Sequence, residues 1–160
     1  MAPRLSPFSR ISAVTKPRQL APTAGITYPN GLAISADRTH LVISFTGPCK
    51  LLRYWIKGSR ARTMELFADL PGYPDNVRPD KKGGYWVALH REKAELPFGV
   101  DSHLLAPRID VDGKNNREMR GPKSVRPTEV VERKGGRLHG IRRAYLHGSR
   151  HMQIDIDQFN

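Results

Sequence analysis

Short apolar runs alternate with polar stretches rich in glycine and proline between residues 25 and 138, a rhythm that predicts strands. Leu41-Val-Ile-Ser-Phe45 and Leu51-Leu-Arg-Tyr-Trp-Ile56 are β-rich, and Thr46-Gly-Pro-Cys-Lys50 between them predicts a hairpin. Thr63-Met-Glu-Leu-Phe-Ala-Asp69 has the length of a further strand. Tyr85-Trp-Val-Ala-Leu89 follows the turn Lys81-Lys-Gly-Gly84. His103-Leu-Leu-Ala-Pro-Arg-Ile109 runs into Asp110-Val-Asp-Gly113, whose Asp-Gly pair is a strong turn signal. No long amphipathic helix is legible in this stretch. Trp55 and Trp86 both sit in β-rich runs and are expected between sheets, where a large aromatic ring contributes most.

The pattern also repeats. Tyr28-Pro-Asn-Gly, Tyr73-Pro-Asp-Asn and Arg126-Pro-Thr-Glu each lead into a short strand, a turn and a second strand. The spacing, roughly 45 to 53 residues, is that of β-propeller blades. In such a fold the innermost strand of each blade lines a central channel, and the residues leading into it sit at the channel mouth. Asn30, Asp75, Asn76, Thr128 and Glu129 occupy those positions, so residues far apart in sequence are expected to converge. The plainer reading is that Pro-Asn-Gly and Pro-Asp-Asn are simply good turn formers.

Charge adds a further question. Lys and Arg total 27 against 15 Asp and Glu, a formal charge of +12 in 160 residues. The basic residues are scattered, keep no helical spacing on one face and accompany no nucleic-acid-binding signature, so a solvated basic surface is the expectation and no nucleic-acid partner is assigned. No window approaches the roughly 18 apolar residues of a membrane-spanning helix. The single cysteine, Cys49, excludes an internal disulfide framework and a zinc-finger ligand set. Residues 1–24 are basic, hold Ser and Pro and contain no acid; they read as a disordered leader, with no apolar core of a secretory signal.

Several linked segments resemble a known family. Tyr28-Pro-Asn-Gly-Leu-Ala-Ile-Ser-Ala-Asp, Leu51-Leu-Arg-Tyr-Trp-Ile-Lys-Gly58, Phe67-Ala-Asp-Leu-Pro-Gly-Tyr-Pro-Asp-Asn-Val77 and Gly83-Gly-Tyr-Trp-Val-Ala-Leu-His90 are similar to the conserved region of plant strictosidine synthase-like proteins. The resemblance covers residues 25–138. It implies a six-bladed propeller related to paraoxonase-type calcium hydrolases, and hence an all-β fold. In the synthases, which condense tryptamine with the aldehyde secologanin, a glutamate acts as general base. Laid without a gap onto Glu129-Val-Val-Glu-Arg-Lys-Gly-Gly136, that role falls on Glu129; a shift of one residue moves it to Thr128, and the non-synthase relatives have an ordinary blade glutamate there. The hydrolases hold Ca²⁺ through amide and carboxylate oxygens, as a hard cation prefers. Their Asn-Gly and Asp-Asn motifs fall on Asn30, Asp75 and Asn76. His90 matches a cleft histidine of the hydrolases, although a surface histidine after a strand reads equally well.

The length accommodates about two and a half of six blades, so the expected architecture is a partial β-propeller with irregular termini. After Leu138 the family's strand pattern is lost, and residues 139–160 read as a divergent, disordered tail. The chain thus reads as a truncated propeller, not catalytically competent alone. The resemblance implies a small-molecule substrate: an amine and an aldehyde for Pictet–Spengler condensation in alkaloid biosynthesis, or an ester or lactone for metal-dependent hydrolysis. A non-catalytic fragment is the third reading. Three donors fall short of a full Ca²⁺ shell, so weak or absent binding is expected. The family implies the secretory pathway or vacuole, whereas this sequence shows no signal peptide.

Overall fold

The computed structural model describes residues 29–94, 102–122, 125–133, 138–142 and 152–154. The expected leader, 1–24, lies outside them, as does most of the expected tail. Each predicted apolar run pairs antiparallel with its sequence neighbour, because short polar turns leave no length for a crossover. Strands β1 (Pro29–Ile34), β2 (His40–Phe45), β3 (Lys50–Trp55) and β4 (Met64–Asp69) make the first sheet, in that order. Strands β5 (Gly72–Pro79), β6 (Tyr85–Glu92), β7 (Ser102–Ile109) and β8 (Asn115–Pro122) make the second. Strands β9 (Glu129–Glu132), β10 (Leu138–Arg142) and β11 (Met152–Ile154) make the third. Pairing therefore continues beyond Leu138, where the sequence pattern predicts none. Strand β10 is held by β9 on one side, with His139 opposite Val131, and by β11 on the other.

Turn chemistry fixes the registers. Asp110 Oδ1 accepts from the amides of Asp112 (3.0 Å) and Lys114 (2.9 Å), closing the β7–β8 turn. Gly113 at its tip has φ +83°, and a Cβ there would run into the Phe67 carbonyl of β4. The tip of the second sheet is thereby seated against the first.

Burial follows from stacking. Ala33, Val42, Leu51 and Phe67 of the first sheet pack on Val77, Tyr85, Val87 and Leu89 of the second. Trp86, Ala88, Leu105, Ala106 and Met119, on the second sheet's other face, pack on Val130 and Leu138 of the third. Successive side chains of β6 alternate between these two cores, so Tyr85 to Leu89 are buried without a polar break.

Trp86 is 1% exposed, as expected. Trp55 is a correction: it ends β3 at the sheet's rim and is only half-buried. There its ring is tilted against His40 at 4.9 Å, the Arg60 guanidinium lies 3.9 Å above it, and Nε1 donates to Glu65 Oε1 at 3.1 Å.

Candidate functional site

The inner strands β1, β5 and β9 bring the proline-led segments together. Gly31 is the point of closest approach, since a Cβ there would lie 2.7 Å from the Asn76 Cα. Ser44 on β2 tightens this crossing: its hydroxyl accepts from the Gly31 amide at 2.7 Å and donates to the Asp75 carbonyl at 2.6 Å. On the next sheet, the Asn76 amide donates to the Thr128 carbonyl at 3.1 Å. Asn30, Asp75 with Asn76, and Thr128 with Glu129 therefore form one continuous inner edge.

Hydrogen-bond chemistry settles how two side chains are turned. The Thr46 hydroxyl donates its only proton to the Pro74 carbonyl at 2.7 Å, so Thr46 Oγ1 accepts from Asn30 Nδ2 at 3.2 Å. Asn76 Nδ2 donates to the Thr128 carbonyl at 3.0 Å, an oxygen that can only accept. Both amide nitrogens are committed to the scaffold, which turns each Oδ1 away from those partners. Asn30 is exposed, and Asp75 and Asn76 are half-buried. The residues match a hard cation in chemistry, with two amide oxygens and one carboxylate, but supply only three of the roughly six to eight oxygens Ca²⁺ takes. Among the described residues no group of three His, Cys, Asp or Glu side chains is poised to hold a metal.

Glu129 is buried at the start of β9 and forms an ion pair with Arg78 of β5. His90 is exposed near the end of β6, and its carbonyl accepts from Arg126 Nη1 at 2.7 Å, just ahead of Pro127 and Thr128. Its backbone is thus tied to the segment leading into β9. Sequence reasoning missed Ser44, Thr46 and Arg78, which position the site. A serine at a core-facing position of Leu41-Val-Ile-Ser-Phe45 was the available signal for Ser44; Arg78 carried none, because its partner is 51 residues away.

No protein-family model matches the chain. Among curated proteins, strictosidine synthase-like 10 of Arabidopsis thaliana is 46% identical over 69 residues, covering 43% of this chain and 18% of that protein. Strictosidine synthase-like 8 of the same plant is 37% identical over 115 residues, covering 71% of this chain and 27% of that protein. This is a strictosidine synthase-like chain. It spans less than a third of the length of those relatives. Among solved structures, a gluconolactonase from Xanthomonas campestris superposes with a TM-score of 0.50 at 22% identity, over 70% of this chain and 34% of that one. That likeness concerns the fold alone: the strictosidine synthase-like chain is a partial all-β propeller, its three sheets being successive blades.

Proposed function

We propose that the inner edge is the cation-holding mouth of a hydrolase-type propeller acting on a small ester or lactone. The observation that carries this reading is the orientation of Asn30 and Asn76, whose amide nitrogens are both bound to scaffold acceptors. Asn30 and Asn76 would offer Oδ1 and Asp75 its carboxylate. A divalent cation held there supplies Lewis acidity toward a carbonyl oxygen. Ser44 and Thr46 hold the donors in place through the backbone of β5, and His90 is the candidate to take up a proton.

Amine–aldehyde condensation is the second reading, and it needs Glu129 as a base. The Arg78 guanidinium already pairs with that carboxylate, where a substrate amine would have to approach. This pairing favours the hydrolase reading.

Calorimetric titration with Ca²⁺ tests it. The expected result is weak, saturable binding near ~1 mM, the weak end of protein Ca²⁺ sites, abolished by Asp75→Ala. Binding indifferent to Asp75→Ala, or condensation of tryptamine with an aldehyde that is lost in Glu129→Gln, would overturn it.

A further inference from the structure

Antiparallel strands send alternate turns to opposite ends of a sheet. In the first two sheets the turns at 35–39, 56–63, 80–84 and 110–114 share one end. The candidate cation site belongs to the other end, where Thr46 of the β2–β3 turn holds Asn30 and the Pro74 carbonyl. Contacts join the four turns into one rim. The Thr39 carbonyl accepts from the amides of Ile56 (2.9 Å) and Lys57 (3.1 Å). Arg53 Nη2 reaches across the sheets to the Val111 carbonyl at 2.8 Å. A Cβ on Gly83 would meet Val111 Cγ1 at 3.3 Å, so the second sheet's two turns lie side by side.

Ordinary turn tips are polar, and this rim is not. Val111, between two aspartates, is 56% exposed, and Ile56, just past β3, is 36% exposed. Neither belongs to a core cluster, and the half-buried Trp55 adjoins Ile56. Exposed cations come from every turn: Arg38 from the first; Lys57, Arg60 and Arg62 from the second; Lys81 and Lys82 from the third; and Lys114 from the fourth. These seven face four carboxylates, of which three are engaged nearby. Asp37 accepts from Ser35 and Thr39, Glu65 pairs with Arg53 and Arg60, and Asp110 accepts from its own turn amides. Asp112 is the fourth. Aliphatic tips and a tryptophan set among Lys and Arg make the composition of a membrane interface, where apolar burial and attraction to anionic headgroups add.

We propose that this rim docks on an anionic phospholipid surface. Val111 and Ile56 enter the headgroup layer, and the lysines and arginines meet lipid phosphates and carboxylates. A nucleic acid would satisfy the cations but leave Val111 and Ile56 without a use, which is why lipid is the better fit. Docked in this way, the inner edge at the opposite end faces solution.

Co-sedimentation of the full chain with vesicles tests the proposal. Binding is expected to phosphatidylcholine–phosphatidylserine vesicles at roughly 7:3, and not to phosphatidylcholine alone. The double variant Lys57→Glu/Lys81→Glu is expected to bind at least ~10-fold more weakly, and Val111→Ser about 3-fold more weakly. Lys50→Glu/Lys93→Glu makes the same charge change at the opposite end and is expected to do far less. All substituted side chains are at the surface, and unchanged far-ultraviolet circular dichroism checks the fold. Brominated phospholipid is expected to quench Trp55, and the quenching is lost in Trp55→Phe because Trp86 is buried between sheets. Equal losses in the two double variants would overturn the proposal, since net charge alone would then drive binding. So would an absence of binding to the mixed vesicles, or vesicle binding indifferent to Val111→Ser alongside tighter binding of a DNA duplex that Lys57→Glu/Lys81→Glu abolishes.

Discussion

His40 shows how much one side chain can be made to report. Asp37 oxygens accept from the Thr39 hydroxyl at 2.8 and 2.9 Å, so Thr39 Oγ1 accepts from His40 Nδ1 at 3.0 Å. That places the imidazole proton on Nδ1 and leaves Nε2 to accept from the buried Tyr85 hydroxyl at 3.1 Å. The relay joins the first two sheets and holds the imidazole neutral. Burial, and after it the Arg53 charge, lower the His40 pKa from 6.5; Asp37 and Glu65 oppose this and Arg60 adds to it. The unfolded chain therefore takes up the proton first, so this contribution is fully present above pH 6.5 and is lost as the pH falls below it. Thermal unfolding from pH 7.5 to 5.0 should show a falling midpoint in the wild type and a flatter profile in His40→Gln. Asp37, lowered to about 2 by its Ser35 and Thr39 hydrogen bonds, loses its contribution only as the pH falls below 3.8, outside that window. Identical pH profiles for the two proteins would exclude His40 as the sensing group.

At the scale of elements, the site depends on how closely β1 crosses β5. Gly31 is required there by proximity, since a Cβ would lie within 2.8 Å of the Asn76 Cα, the Asp75 carbonyl and the Ser44 hydroxyl. Gly31→Ala should force the strands apart and destabilise the fold by ~1–3 kcal/mol, the usual cost of overpacking, while weakening Ca²⁺ binding further. Urea titration and calorimetry read the two effects separately. Stability unchanged from wild type would show that the crossing can yield. The strands themselves were legible, because alternation of apolar and polar positions has a period of two. The crossing was not, because Tyr28-Pro-Asn-Gly reads equally well as a plain turn.

Across the whole molecule, position between sheets decides what an aromatic residue is worth. Trp86 is sandwiched by the second and third sheets, whereas Trp55 rests on the rim among Arg53, Arg60 and Glu65. Trp86→Ala should cost ~3–5 kcal/mol, as for a large buried aromatic, and Trp55→Ala well under half of that. Denaturant unfolding of the two variants compares them directly; equal losses would contradict the layered packing. The two sites look alike in sequence, since Leu-Arg-Tyr-Trp-Ile and Gly-Tyr-Trp-Val-Ala are both strand-forming. Only the length of β3 and the stacking of the third sheet separate them.

The sequence by itself determined the local structure: the strands, their hairpins, the blade repeat and the residues leading into each inner strand. Those features depend on near neighbours, and their periodicity and turn chemistry are written in a few consecutive positions. Tertiary structure decided the rest. It turned Asn30 and Asn76 through partners 16 and 52 residues away, and paired Glu129 with Arg78. It also carried the third sheet past Leu138 and, among the described residues, left Leu32, Ile34 and Leu66 on the first sheet exposed. A hydrogen bond or a packed face is a relation between two surfaces, and a strand pattern specifies only one of them.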